Sequence, residues 1–241
     1  MTASTLLEVV VGSQAHRLAR EDSDWDYRSV YQVPTEEFLK VGVEKVRDTV
    51  WNEGKEEDAT GWEVGHFLNL AIHSNPTILE VFVAPSRVWH EKCDACGVLH
   101  TVFYNHQELR DLFPYVWSAE GVLNAFTGYG HNQRKKFFDK TTTAYRRPKY
   151  AVAFLRVLYQ GTMLLGTGNL PISMVYTPVY ETLLKWREGD FTLGEVIDVT
   201  AEWEEKIRAA YMENHSINPK VTDLDKVNEF LVRLRKNGFT N

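Results

Sequence analysis

The chain has 241 residues, 44% of them hydrophobic and 25% charged, with a formal net charge of −6. That length can bury a full core in one large domain or two small ones, and the acidic balance argues against a general electrostatic coat for nucleic acid. No apolar run reaches the roughly 18 residues of a membrane span, the opening MTASTLLEVVVG lacks the basic n-region of a signal peptide, and two cysteines fit a reducing cytoplasm rather than a disulfide framework.

In chain order, residues 6–12 (LLEVVVG) read as a buried strand ending at Gly12-Ser13, followed by a short helix from Gln14 to Arg20. Asp22, Asp24 and Asp26 then alternate at the strand period, which places three carboxylates on one face of a second strand closed by Pro34. EKVRDTVWN and DATGWEV extend the sheet on either side of the polar stretch NEGKEED. EVGHFLNLAIH carries Phe67, Leu70 and Ala71 at helical spacing, and Asn75-Pro76 has the cap-and-proline pattern of another helix start. The β-branched TILEVFVA that follows leaves helix and strand both open.

From about residue 100 the pattern is helical. Thr192 and Glu195 form a capping-box pair, and Leu193, Val196, Ile197, Thr200, Trp203 and Ile207 make one stripe. Leu224, Val227, Phe230 or Leu231, and Leu234 make another. These elements predict an α+β protein: a small mixed-sheet half over residues 1–95 and an all-helical half over residues 96–241.

The chemistry concentrates early. A glycine at a strand exit lets backbone N–H groups approach a phosphate closely, so Gly12-Ser13 is a candidate phosphate cradle. Asp24 and Asp26, two residues apart, point the same way on a strand and suit a pair of magnesium ions roughly 3.5–4 Å apart, as in-line phosphoryl transfer requires. Magnesium takes carboxylate oxygen together with substrate phosphate, so two or three carboxylates suffice. Asp22 reads as loop decoration and Arg28 as a structural partner of the acidic face.

Residues 134–149 (RKKFFDKTTTAYRRPK) hold seven Lys/Arg and one Asp, a local charge of +6 that leaves −12 for the remainder. Such a strip is either a solvated helix face or a clamp on a triphosphate or nucleic-acid backbone, with Arg134, Lys149 and Arg156 as the contacts. His90, Cys93, Cys96 and His100 have zinc-compatible spacing, with two packed thiols as the preferred reading. Tyr129 in GYGH is a candidate nucleotide-stacking residue.

The Gly-Ser pair, a gap of ten, and Asp24-Trp25-Asp26 resemble the signature of the DNA polymerase beta nucleotidyltransferase superfamily. The segments GSQAHRL…SDWDYRSVYQVP, HFLNLAIHSNPTILEVF, FTGYGHNQRKKF, KYAVAFLRVLYQ and WREGDFTLGEVI, in that order, are similar to the stand-alone RNA-repair-pathway (RlaP-like) group. The resemblance implies a polymerase-beta-like catalytic core, a nucleotide role for Ser23 beside Gly12 and Ser13, and no zinc at the two cysteines. It also implies a third carboxylate on a neighbouring strand. Asp58 is the first choice, Glu63 the second, and Glu56 or Glu57 more remote ones. The chain departs from the group at Arg17 and Ser29, where glycine is usual, and at Ala153, where histidine is usual.

The expectation is therefore a cytoplasmic nucleotidyltransferase, with Asp24, Asp26 and Asp58 both catalytic and metal-binding. It would use Mg²⁺, with Mn²⁺ as the alternative ion, and an NTP such as ATP. The favoured acceptor is an RNA end, in keeping with RNA repair; a protein, a small molecule, or a non-catalytic nucleotide- or RNA-binding role are the alternatives.

Overall fold

The computed structural model describes residues 3–41, 48–53, 57–92 and 99–238. Four strands form one sheet: β1 (Ser4–Val11), β2 (Trp25–Gln32), β3 (Thr49–Glu53) and β4 (Glu57–Glu63), in the order β1-β2-β4-β3. β1 pairs antiparallel with β2, β2 parallel with β4, and β3 antiparallel with β4. Leu7, Val9 and Val11 are buried at every second position of β1, the pattern of a strand with one face in a core. A two-stranded ribbon, β5 (Trp89–Lys92) with β6 (Leu99–Val102), lies apart from this sheet. His90 and His100 sit on its two strands, whereas Cys93 and Cys96 fall outside the described residues.

Short helices α1 (Gly12–His16) and α2 (Thr35–Leu39) follow the first two strands; α3 (Val64–Ala71) and α4 (Pro76–Val83) follow β4. The open helix-or-strand choice at TILEVFVA resolves as α4. Asn75 accepts a hydrogen bond from the Thr77 amide at 3.0 Å and Pro76 occupies the first turn, so a good start, plus burial of Ile78, Leu79, Val81 and Phe82, outweighs β-branched propensity. Phe67 of α3 meets Phe82 of α4 with ring centroids 4.9 Å apart.

A single-turn α5 (Gln107–Arg110) and a 3₁₀ turn at Phe113–Tyr115 lead into the helical bundle. Its members are α6 (Ala119–Phe138), α7 (Arg147–Thr167), α8 (Tyr180–Arg187), α9 (Leu193–His215) and α10 (Leu224–Asn237). The Thr192 hydroxyl accepts from the Glu195 amide at 3.1 Å, which is half of the capping box; the Glu195 carboxylate instead accepts from Trp186 Nε1 and Lys185 Nζ, each at 3.3 Å. Of the α9 stripe, Val196, Thr200, Trp203 and Ile207 are buried while Leu193 and Ile197 stay exposed; in α10 it is Val227 and Phe230 that are buried. No helix among the described residues is long and apolar enough to cross a membrane.

One continuous apolar cluster runs from Leu7 and Val9 through Phe67 and Phe82 to Phe126, Phe154 and Trp186. The chain's last helix returns to the sheet. Arg235 of α10 donates to the Val33 carbonyl at 3.1 Å and pairs with Glu63 at 2.6 Å, and Thr35 donates to the Arg235 carbonyl at 2.7 Å.

Candidate active site

The site begins where β1 gives way to α1. Gly12 has φ +65°, and a Cβ there would stand 2.0 Å from Asp26 Oδ2. Both conformation and space therefore demand glycine. The antiparallel register ends at Val11 opposite Asp26, which is why the turn lies directly against that carboxylate. α1 itself runs Gly12–His16, shorter and earlier than the spacing predicts, because Arg17 turns left-handed at φ 59° and closes it. A glycine would be unstrained there; the arginine keeps the same turn at some cost.

The three alternating aspartates do not all share a strand. β2 starts at Trp25, so Asp26 alone is in the ladder. β1 has already run out by then, and the Arg20 amide donates to Ser23 Oγ at 2.8 Å while the Ser23 amide donates back to the Arg20 carbonyl at 3.1 Å. That local turn holds residues 20–24 out of the sheet. Asp24 nevertheless borders the same cleft, as does Asp22.

Asp58 arrives from β4. In the parallel pair Asp26 lies in register with Asp58, so their side chains share a sheet face on strands about 4.8 Å apart. Burial raises the Asp26 pKa, Arg28 opposes the rise, Asp58 and Asp24 add to it, and Lys149 lowers it. Glu63, five residues further, is on the other face. It is 2% exposed, accepts from the Gly65 amide at 2.7 Å to cap α3, and pairs with Arg235. These bonds make it a structural group away from the cleft. Glu57 stands in backbone register with Trp25, and Glu56 lies outside the described residues.

The cleft in front of Gly12, Ser13 and the aspartates encloses about 590 Å³, the size of a small-molecule site. Basic groups line it as well. Lys149 and Arg156 come from α7, Arg187 from the end of α8, and Arg20 from the loop before β2. Arg187 donates to Ser23 Oγ at 2.9 Å, and its Nε is buried with no hydrogen-bond partner among the described residues. Arg20 pairs with Glu188 at 2.9 Å and donates to the Arg187 carbonyl. Arg156 is already engaged, donating to Glu80 and, at 2.8 Å, to Gln160. Arg134 is exposed on α6 and does not line the cleft, and Tyr129 borders a smaller neighbouring cavity instead. Tyr145, 68% exposed, is the aromatic ring on the cleft wall, with the Lys149 amine 5.2 Å from its centroid.

Arg20, Arg187 and His16 escaped the sequence reading. His16 is 4% exposed; its Nδ1–H donates to the Ile172 carbonyl at 3.0 Å. Burial and the Arg156 charge push its pKa down to about 4, against the pull of Glu80 and the Ile172 bond, so the ring is neutral near pH 7. The sole sequence signal was its place three residues after Ser13, in the turn that carries the candidate cradle.

Among the described residues, no three His, Cys, Asp or Glu side chains form a group able to hold a metal ion by themselves. Magnesium does not require such a cage, since it binds through one or two carboxylates plus substrate phosphates. Asp24, Asp26 and Asp58 all border the one cleft.

The family model described as RlaP, RNA repair pathway DNA polymerase beta family, matches residues 1–233. The chain belongs to this family. Membership covers both the sheet and nearly all of the helical bundle, and it supports a nucleotidyltransferase-like function in general. Comparison with curated proteins finds no significant match. Ala153 lies on the cleft wall and Arg17 closes the turn behind Gly12-Ser13.

Proposed function

We propose that the protein is a magnesium-dependent nucleotidyltransferase that moves a nucleoside monophosphate from an NTP to the hydroxyl of an RNA end. The observation that carries this reading is the crowding of Asp26 by Asp24 and Asp58 opposite a glycine that admits no side chain. Like charges gathered at one point are costly unless a cation joins them. Asp24, Asp26 and Asp58 would hold the ion. When bound, it supplies Lewis-acid neutralisation of phosphate charge and a more acidic acceptor hydroxyl.

The chain's own groups do the rest. Gly12 and Ser13 receive the β- and γ-phosphates against main chain. Arg187, Arg20 and Lys149 balance the triphosphate's charge, Ser23 holds Arg187 in place, and Arg156 contributes field from its place beside Glu80. Asp58 accepts the proton of the acceptor hydroxyl. The new O–P bond forms as the α–β bridging bond breaks, and pyrophosphate leaves with the electron pair. Rate enhancement comes from positioning and charge complementarity.

The test is incubation of each labelled NTP with Mg²⁺, the full chain and total RNA. Label should enter RNA and should fail to do so with Asp24→Asn or Asp26→Asn. Label in protein or small molecules would reassign the acceptor, and label nowhere with any NTP would leave a binding module.

A further inference from the structure

A second cavity of about 170 Å³ adjoins the cleft, and Gly12, His16, Asp26 and Arg156 border both spaces. Asp26 thus borders two adjoining spaces. In-line displacement places the attacking oxygen and the leaving pyrophosphate on opposite faces of the phosphorus. With a triphosphate in the large cleft, the smaller space is open to the acceptor; this step rests on the donor-site reading above.

The lining of the small cavity says what kind of acceptor. Its volume is below the roughly 300–1,000 Å³ that encloses a whole small molecule, so it suits a group rather than a nucleotide. Arg28 is half-buried there and donates to the Tyr27 carbonyl at 2.8 Å; its charge acts on Asp26 across the same cavity, but no ion pair within 4.0 Å fixes the guanidinium among the described residues. A guanidinium so placed is a ready phosphate ligand.

His16 adds a second demand. With Nδ1 committed as donor, Nε2 is a lone-pair acceptor, buried and without a hydrogen-bond partner among the described residues. It stands 3.7 Å from Glu80 Oε1, itself an acceptor already supplied by Arg156 and Gln160. Two acceptors face each other with no hydrogen between them. A buried polar atom left this way is costly until a donor arrives, and a hydroxyl is the donor that a sugar carries.

We propose that the small cavity receives the terminal ribose phosphate of an RNA acceptor, with the phosphate on Arg28 and the 2′-hydroxyl donating to His16 Nε2. DNA ends lack that hydroxyl, so the pair would make the protein select RNA.

The experiment uses the full chain and two fluorescent trinucleotides, identical except for a ribose or a 2′-deoxyribose at the 3′ end. Wild type should bind the ribose end about tenfold more tightly, the worth of one buried hydrogen bond. Arg28→Gln should weaken both by about tenfold while Arg28→Lys keeps most of the affinity. NTP affinity, measured separately with Mg²⁺, should stay within about twofold in Arg28→Lys, which keeps the charge that acts on Asp26. Equal affinity for the two ends, or unchanged affinity in Arg28→Gln, overturns the proposal, and intact NTP binding would then leave the donor site standing. Loss of NTP binding in wild type itself would overturn the donor site and this proposal together.

Discussion

Asp26 carries opposing demands. Its pKa is raised in the folded chain, chiefly by burial and with Asp58 and Asp24 as the neighbouring carboxylates, so the native state binds its proton more tightly than the unfolded chain does. Stability then falls as pH climbs through the window from the ordinary carboxylate value to the raised one, and stays reduced above it. Asp26→Asn should therefore raise the Tm of metal-free protein at pH 7, with the gain shrinking as pH drops into that window. The same substitution should cost several orders of magnitude in transfer. A variant no more stable at pH 7, or active within tenfold of wild type, would refute the assignment. Gly12 and Arg17 make a contrasting pair. Gly12→Ala must hold φ +65° and displace the Asp26 carboxylate, at a cost of about 2 kcal/mol or more. Arg17→Gly relieves a left-handed residue and should add up to about 1 kcal/mol. Urea titration of the two variants measures both signs.

Elements were readable where their signals are local. The Asn75 cap, the Thr192 half of the capping pair and the apolar run of β1 depend on residues within a few positions of one another, and each stands in the fold. Asp58 and Glu63 were harder to separate, because strand parity puts them on opposite faces and nothing nearby says which face meets β2's aspartates. The answer came from the register of Asp26 with Asp58 and from Arg235, which is 172 residues from Glu63. Arg187 reaches Ser23 across 164 residues and had no signature at all beyond being an arginine. The α3–α10 contact gives its own prediction. Arg235→Ala leaves the Glu63 carboxylate, 2% exposed, without its cation, which should destabilise the protein by about 3 kcal/mol. Glu63→Gln should be milder and should leave transfer intact, because the group is remote from the cleft. A strong loss of transfer in Glu63→Gln, at preserved stability, would return Glu63 to the active site.

On the scale of the whole molecule, an acidic body carries one basic strip. Arg134, Lys135 and Arg146 are exposed on it and do not line the cleft, whereas Lys149 does. The strip thus has one end at the cleft and exposed members away from it, as a path for a polyanion would. Charge contacts to single-stranded RNA give a salt slope of roughly −0.7 per phosphate neutralised. Replacing Arg134, Lys135 and Arg146 by glutamine should make that slope shallower by about 2 and weaken RNA binding, with NTP affinity near wild type. An unchanged slope would show that the strip is only a solvated helix face.

The clasp of α10 on the sheet also sets an order of events during synthesis. Glu63 leaves the ribosome 172 residues before Arg235, which at about 5–20 residues per second is roughly ten to thirty seconds. Throughout that interval the cap of α3 holds a carboxylate whose cation has yet to be translated. The strands bearing Asp26 and Asp58 are made early but are secured last, so a half-made chain presents an unlocked sheet. Ribosome-stalled chains ending before Arg235 should be cut by protease within β2 to α3. Chains stalled far enough beyond it for α10 to emerge should be protected. Equal protection of both would mean that the sheet stands without its last helix.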